Sequence, residues 1–258
     1  MSTPTILMPM AGAGQRFRDA GEMRPKPLAP VLGIPMFHLA VQSLRRHFAD
    51  AAVICVVQTL HDRQADLASR LRAALPGVSV AFVPELTGGA LETCLAAEEL
   101  AVDRTAPLVV MDCDLTFSAA AYCGRLHAMA DTAGLLLSFR SHLPRYSYAA
   151  VEGGRVVRTA EKEPISDHAL IGAYGFASAD LFFRVARTIV ERNQRVGDGE
   201  FYVSAAFNVL IAENLTVRLE DADAYWSFGT PEERAAAIAD PALPLHIGQL
   251  GLTIEGGP

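Results

Sequence analysis

Thr5-Ile6-Leu7-Met8-Pro9-Met10-Ala11-Gly12-Ala13-Gly14-Gln15-Arg16-Phe17 runs an apolar stretch directly into a glycine-rich turn and an arginine. A buried strand ending in this way presents backbone N–H groups to a ligand, because glycine has no β-carbon to keep the ligand away. The spacing is not that of a Walker loop, GxxxxGK[ST]. Phe17 also stands where a dinucleotide fingerprint needs its third glycine. With Arg16 in the turn and Lys26 ten residues on, two cations flank the concavity, which suits a triphosphate better than a neutral ligand.

Outward from this stretch, apolar runs with strand character at 5–10, 52–58, 78–83 and 108–111 alternate with helical patterns at 36–47, 61–74 and 90–101. The alternation specifies βαβ units and a largely parallel sheet with helices on both faces. Beyond Ser118 the pattern loosens. A helix reaching Met129 leads to a strand at 134–140, and strands at 147–151 and 155–159 flank Gly153-Gly154, a hairpin signal. A strand at 170–177, helices at 179–192 and 203–213 and a strand at 216–219 follow. Residues 1–240 read as a single domain. Residues 241–258, with Pro241, Pro244 and several glycines, read as a loosely attached tail.

Composition narrows the function. The 258 residues are 51% hydrophobic, ample for a large core, and carry a formal charge of −7, which argues against a nucleic-acid surface. No apolar run is long enough to span a bilayer, and no basic stretch precedes a hydrophobic one at the start. The expectation is a soluble cytoplasmic protein with no membrane or nucleic-acid partner; a homo-oligomer stays open. Cys55, Cys94, Cys113 and Cys123 lack CxxC spacing and read as buried free thiols. Lys26 and Lys162 are the only lysines among 22 cationic residues. Each sits in a short motif, Pro25-Lys26-Pro27-Leu28 or Glu161-Lys162-Glu163-Pro164, where a compact ammonium serves better than a planar fork.

Val109-Val110-Met111-Asp112-Cys113-Asp114 places two carboxylates at the end of a buried strand, where open α/β sheets bind ligands. Alternation turns Asp112 and Asp114 the same way. Read from the residues alone, the pair fits either a helix cap or a Mg²⁺ site that shares its ion with substrate phosphates.

Taken together and in order, Gly12-Ala13-Gly14-Gln15-Arg16, Pro25-Lys26-Pro27-Leu28, Gly33-Ile34-Pro35-Met36, Thr87-Gly88-Gly89-Ala90, Asp112-Cys113-Asp114, Glu161-Lys162-Glu163-Pro164-Ile165-Ser166, Gly172-Ala173-Tyr174-Gly175-Phe176 and Gly229-Thr230-Pro231-Glu232 resemble the nucleotidyltransferases of the sugar-nucleotide pyrophosphorylase type. The resemblance covers about residues 5 to 235. It implies a Rossmann-like, GT-A-like α/β fold with a mixed, mostly parallel sheet. It also implies transfer of a nucleoside monophosphate from an NTP to a phosphorylated small molecule, a sugar 1-phosphate first, with release of pyrophosphate.

In that family's terms Arg16, Lys26 and Lys162 are catalytic and Asp114 binds Mg²⁺. Met10, Ala11, Gly12, Ala13, Gly14, Glu85, Thr87, Gly88, Gly89 and Asp112 hold the nucleotide. Lys162, Glu161, Tyr174 and Glu200 hold the acceptor. One departure stands out: relatives commonly carry a second metal-binding aspartate where this chain has Ser227, with Asp223 and Glu200 as nearby candidates for a replacement. That departure keeps open a non-catalytic nucleotide-binding homologue. A cytidylyltransferase for a non-sugar phosphate or phosphonate is the other alternative, and an aromatic acceptor pocket would favour a phosphocholine-like substrate. A glycosyltransferase using the acidic pair conflicts with the opening motifs. Asp198-Gly199-Glu200-Phe201-Tyr202 reads as a loop over the acceptor or a plain helix start, and Trp226 as core packing or a pocket wall.

Overall fold

Alternating burial along the first strand sets the layers. In β1 (Thr5–Met10), Ile6, Met8 and Met10 enter one apolar core, while Leu7 and the following Ala11 enter another on the opposite face. A computed structural model describes residues 3–129, 131–196 and 199–254. After β1 come α1 (Gln15–Asp19), β2 (Pro30–Val31), β3 (Ile34–Pro35), α2 (Met36–Arg45), β4 (Val53–Gln58), α3 (Thr59–Ala65), α4 (Leu67–Ala74), β5 (Ser79–Val83), α5 (Ala90–Leu95) and β6 (Leu108–Met111). The later half holds β7 (Leu115–Ser118), α6 (Ala120–Leu126), β8 (Gly134–Arg140), β9 (Ser147–Glu152), β10 (Arg155–Glu161), β11 (His168–Phe176), α7 (Ala179–Glu191), α8 (Ala205–Ala212), β12 (Val217–Asp221), β13 (Ala224–Ser227), α9 (Pro231–Ala239) and α10 (Ala242–Gln249).

Strands β5, β4, β1 and β6 are parallel neighbours. β11 runs antiparallel to β6, β8 antiparallel to β11, and β12 parallel to β8. This is the mixed, mostly parallel sheet that the family resemblance implied. Helices α2, α4 and α6 pack one face through Phe37, Leu44, Leu71 and Leu126. Helices α5, α7 and α8 pack the other through Leu91, Phe182, Phe183 and Phe207. All four cysteines are buried free thiols. Among the described residues no helix is long and apolar enough to cross a membrane.

Three differences from the sequence reading bear on the site. The helix expected at 61–74 is two helices, because Asp66 is left-handed (φ 50) and Asp62 Oδ1 accepts a 2.7 Å hydrogen bond from the Ala68 N–H beyond the break. The short strands β7 and β13 pair antiparallel, Ser227 opposite Leu115, and form a ribbon apart from the main sheet.

The third difference is a correction at the C-terminus. Residues from Pro241 on were expected to form a loosely attached tail, yet α10 buries Leu243, His246 and Ile247. With Phe17, Met36, Leu39 and Phe228, Leu243 and Ile247 form a third core. Pro241 and Pro244 misled because they fall at the cap and first turn, where a helix tolerates proline. The spacing Leu243, Ile247, Leu250 is that of one buried helical face. Residues 255–258 lie outside the described residues.

β11 changes partner along its length. Its end at 173–176 pairs with β6, whereas Ala169 pairs with Tyr148 of β9, and the register against β8 shifts between Leu170 and Tyr174. Gly172 lies at the change, in a left-handed conformation (φ +82). Its carbonyl accepts from the Asp112 N–H at 2.9 Å, just past the end of β6. A crevice opens at that edge, the position where a sheet of this kind binds ligands.

Candidate active site

Three adjoining cavities run along the carboxyl ends of β1 and β6. The central one, about 250 Å³, is lined by Pro9, Met10, Gly12, Lys26, Asp112 and Asp114. Lys26, Asp112 and Asp114 also line a cavity of about 400 Å³ on one side. Pro9 and Gly12 also line a third, of about 330 Å³, with Ala11, Thr87, Gly88 and Gly89 on the other side. A small recess of about 80 Å³ takes in Ala13, Gly14 and Lys26.

At the junction, the Lys26 ammonium donates to Asp114 Oδ2 at 2.5 Å and to the Gly229 carbonyl at 3.3 Å. Burial opposes the charge on Lys26, but Asp114, Cys113 and Asp112 beside it together outweigh burial and the net shift is upward. Asp112 is pushed up to about 7 by burial and by the Asp114 charge. A β-carbon on Gly172 would lie 2.3 Å from Asp112 Oδ2, so only glycine leaves room for this carboxylate.

The donor set suits a hard divalent cation. Two carboxylates at one strand end supply oxygen only, and no hydrogen bond to the Asp112 carboxylate is found among the described residues. No group of three or more His, Cys, Asp and Glu side chains gathers as a cage among the described residues. Two acids completed by substrate phosphates is the arrangement Mg²⁺ commonly takes.

The large cavity is built from side chains that meet only in the fold. Arg16, Glu161, Lys162 and Tyr174 line it, as does Tyr202, from the stretch read as a loop over the acceptor or a helix start; Tyr146, Tyr225 and Glu233, which sequence reading did not assign, line it too. Lys162 follows β10 in a left-handed conformation (φ 55), its N–H donating to the Tyr146 carbonyl at 3.0 Å. Its ammonium lies 5.5 Å from the centre of the Tyr202 ring. A lysine held at positive φ stores strain where the chain also places its charge. The Glu161 carboxylate accepts from the Ser147 hydroxyl at 2.6 Å and from the Ser204 hydroxyl.

Ser227 stands beside the metal candidate. Neither acid considered as its replacement lies there. The Asp223 carboxylate caps α6, accepting from the Ala120 N–H at 2.9 Å, at the other end of the ribbon. Glu200 lines the smaller side cavity with Gly88 and Gly89 rather than the one expected to hold the acceptor. The nearby carboxylate is Glu233. A β-carbon on Gly229 would sit 2.8 Å from Glu233 Oε2 and 3.4 Å from Asp114 Oδ2 and Ser227 Oγ. Glu233 is fully engaged: Oε2 accepts from the Ser227 hydroxyl at 2.9 Å and the Thr230 N–H at 3.1 Å, and Oε1 from the Tyr146 hydroxyl at 2.9 Å and Arg145 at 2.9 Å. Thr230-x-x-Glu233 spells a capping box, which the structure forms, so the sequence did contain a signal for it.

Of the other expected site residues, Glu85 is exposed and lines none of these cavities. The Trp226 indole N–H donates to Asp240 Oδ2 at 2.8 Å and the ring packs 4.7 Å from His246, facing the third core. Asp198 lies outside the described residues.

Residues 7–191 match the model of the MobA-like NTP transferase domain. The chain belongs to that family. It is similar to a solved nucleoside-diphosphate-sugar pyrophosphorylase from Vibrio cholerae RC9, with 25% identity and a TM-score of 0.79 over 92% of this chain and 100% of that one. Its fold is also that of a putative glucose-1-phosphate thymidylyltransferase from Bacillus anthracis (20% identity, TM-score 0.71, 92% and 96% of the two chains). A UDP-glucose pyrophosphorylase complexed with UDP-glucose shares it too (16%, 0.69, 92% and 97%). No curated protein matches the chain. Membership of the family, with the pyrophosphorylase similarity, makes this chain a nucleotidyltransferase.

Proposed function

We propose that this chain transfers a nucleoside monophosphate from an NTP to a phosphorylated small molecule, with a sugar 1-phosphate as the leading acceptor, and releases pyrophosphate. One observation carries the reading: Lys26, Asp112 and Asp114 stand at the junction of the cleft, between a glycine-walled cavity and a tyrosine-lined one. The nucleotide is assigned to the glycine side and the acceptor to the tyrosine side.

An acceptor phosphate oxygen attacks the α-phosphorus in line, and the bond from that phosphorus to the bridging oxygen of pyrophosphate breaks. Such a step depends on positioning and charge neutralisation rather than on a covalent enzyme intermediate. Arg16 is proposed to meet the β and γ phosphates, where leaving-group charge develops. Lys26 turns from Asp114 toward the α-phosphate, and Lys162 holds the acceptor phosphate. Mg²⁺, held by Asp114 with Asp112 behind it, would supply neutralisation of phosphoryl oxygens when bound. Ser227 adds a hydroxyl oriented by Glu233 rather than a second carboxylate.

A second acceptor class has an observation of its own. Tyr146, Tyr174, Tyr202 and Tyr225 line the large cavity, whose walls contain no Asn, Gln or His among the described residues. An aromatic lining of this kind favours a phosphorylated alcohol with a cationic head group, such as phosphocholine. Pyrophosphate release with Mg²⁺, screened over CTP, UTP, dTTP, GTP and ATP against sugar 1-phosphates, phosphocholine and phosphonates, tests both. Release with one nucleotide and one acceptor establishes the reaction and its substrates. Silence across the panel despite NTP binding overturns the proposal for these acceptors.

A further inference from the structure

The glycine-walled cavity has a cation that no motif accounts for. Arg195 follows α7 and reaches back over the Thr87-Gly88-Gly89 turn. Its guanidinium carbon sits 4.0 Å from the centre of the Phe201 ring. A β-carbon on Gly88 would lie 2.9 Å from Arg195 Nη1 and 3.1 Å from Nη2, so the guanidinium lies directly against that glycine.

The fork is fixed on one side and open on the other. Nε donates to Asn193 Oδ1 at 2.8 Å, and Nη1 donates to the Gly199 carbonyl at 2.8 Å. Asn193 is itself left-handed (φ 50), a conformation that asparagine tolerates better than most residues. No hydrogen bond from Nη2 is found among the described residues. The other polar groups nearby are turned inward. The Gly88 N–H donates to Glu92 Oε2 at 2.5 Å, and the Thr87 and Thr93 hydroxyls both donate to the Gly89 carbonyl, at 3.1 and 3.0 Å. Arg195 is therefore a planar donor edge, anchored at Nε and Nη1, in a cavity where the Gly88 N–H and the Thr87 and Thr93 hydroxyls are already paired.

We infer that Arg195 selects the nucleotide, its free Nη2 edge donating to an acceptor atom on the edge of the base. The inference rests on the nucleotide side of the proposed function. Stacking on Phe201 and two anchoring hydrogen bonds hold the fork in place before a ligand arrives, so ordering it costs little on binding. A base with a ring nitrogen or carbonyl at that edge pairs with it. One presenting a donor there leaves an opposed N–H and is rejected.

The test is NTP preference in wild-type, Arg195→Ala and Arg195→Gln protein, read as kcat/KM for pyrophosphate release with CTP, UTP, GTP and ATP at saturating acceptor. NTP dissociation constants measured without acceptor accompany it. Arg195→Ala is expected to raise KM for the preferred NTP about 10- to 100-fold, to leave kcat within a few-fold, and to compress the preference among bases by a similar factor. Arg195→Gln, which keeps a planar hydrogen-bonding end, is expected to reorder the preferences rather than only weaken them. Equal weakening of all four NTPs by both variants would overturn base reading in favour of a phosphate contact or a loop support. So would an unchanged preference ratio. Wild-type protein that binds no NTP would instead overturn the proposed function, which keeps the two failures distinct.

Discussion

The two sides of the cleft are built from different materials. The proposed nucleotide side is mostly backbone: the Gly12 turn and the Thr87-Gly88-Gly89 turn, each local in sequence and next to a buried strand or helix. The proposed acceptor side is mostly side chain, with Tyr146 before β9, Lys162 after β10, Tyr202 before α8, Tyr225 in β13 and Glu233 in α9. A surface of main-chain groups stays fixed while side chains vary around it. A surface assembled from separated segments can change one segment at a time.

The sharpest way to break this contrast is at the junction that serves both sides. Lys26→Ala and Asp114→Asn are each expected to lower turnover about 100-fold or more, the usual cost of one charge-assisted transition-state contact. Steady-state kinetics with thermal unfolding as a control checks this, and wild-type turnover in either variant would remove that residue from the chemistry.

The acceptor side also leans on the third core, which makes it pH-sensitive. His246 is 3% exposed and its ring contacts the Thr116 hydroxyl at 2.9 Å, on the strand paired with β13. Burial, then the positive charge of Arg46, lowers it from the ordinary 6.5 to about 4. The fold thus holds the neutral ring. Its stability is whole above about pH 6.5 and is lost as pH falls toward about 4, by as much as about 3 kcal/mol. Denaturant unfolding between pH 7.5 and 4.5 measures this, and His246→Gln should flatten the slope.

Gly172→Ala separates a steric requirement from a conformational one. Its added carbon meets Asp112 Oδ2 at 2.3 Å and the position has positive φ, whereas Gly153 (φ +54) has nothing within 4 Å. Gly172→Ala should cost about 2 to 3 kcal/mol and depress activity, and Gly153→Ala about 1 kcal/mol with activity intact. Equal costs would mean that backbone strain alone explains both. The smallest effect is expected at Tyr225→Phe and Tyr202→Phe: about a 10-fold rise in acceptor KM with the NTP KM unchanged. A matching change in NTP KM would erase the division of the cleft.

That same difference in materials decides how much could be read from the sequence. Strands β1, β4, β5 and β6 appeared as short apolar runs at helical separation, and the glycine turns as local patterns, so the parallel half and the turns at its carboxyl ends were legible. The ribbon of β7 and β13 was missed because four-residue strands leave little periodicity. Tyr146 and Tyr225 were missed because an aromatic residue reads as ordinary core until the long-range pairing of the sheet brings it to the cleft, whereas Tyr174 was named for the acceptor through its motif. Ser227 showed that an expected acid was absent, but not that Glu233 lies beside it, since that depends on how α9 turns back over Gly229.

The β9 and β10 hairpin meets β11 through one bridged pair, Ala169 opposite Tyr148. It carries or abuts Tyr146, Ser147, Glu161 and Lys162, so a large part of the proposed acceptor wall is one contiguous stretch of seventeen codons, 146–162. A lineage can replace that stretch in a single recombination event and so exchange the proposed acceptor wall, while the proposed nucleotide side is inherited untouched.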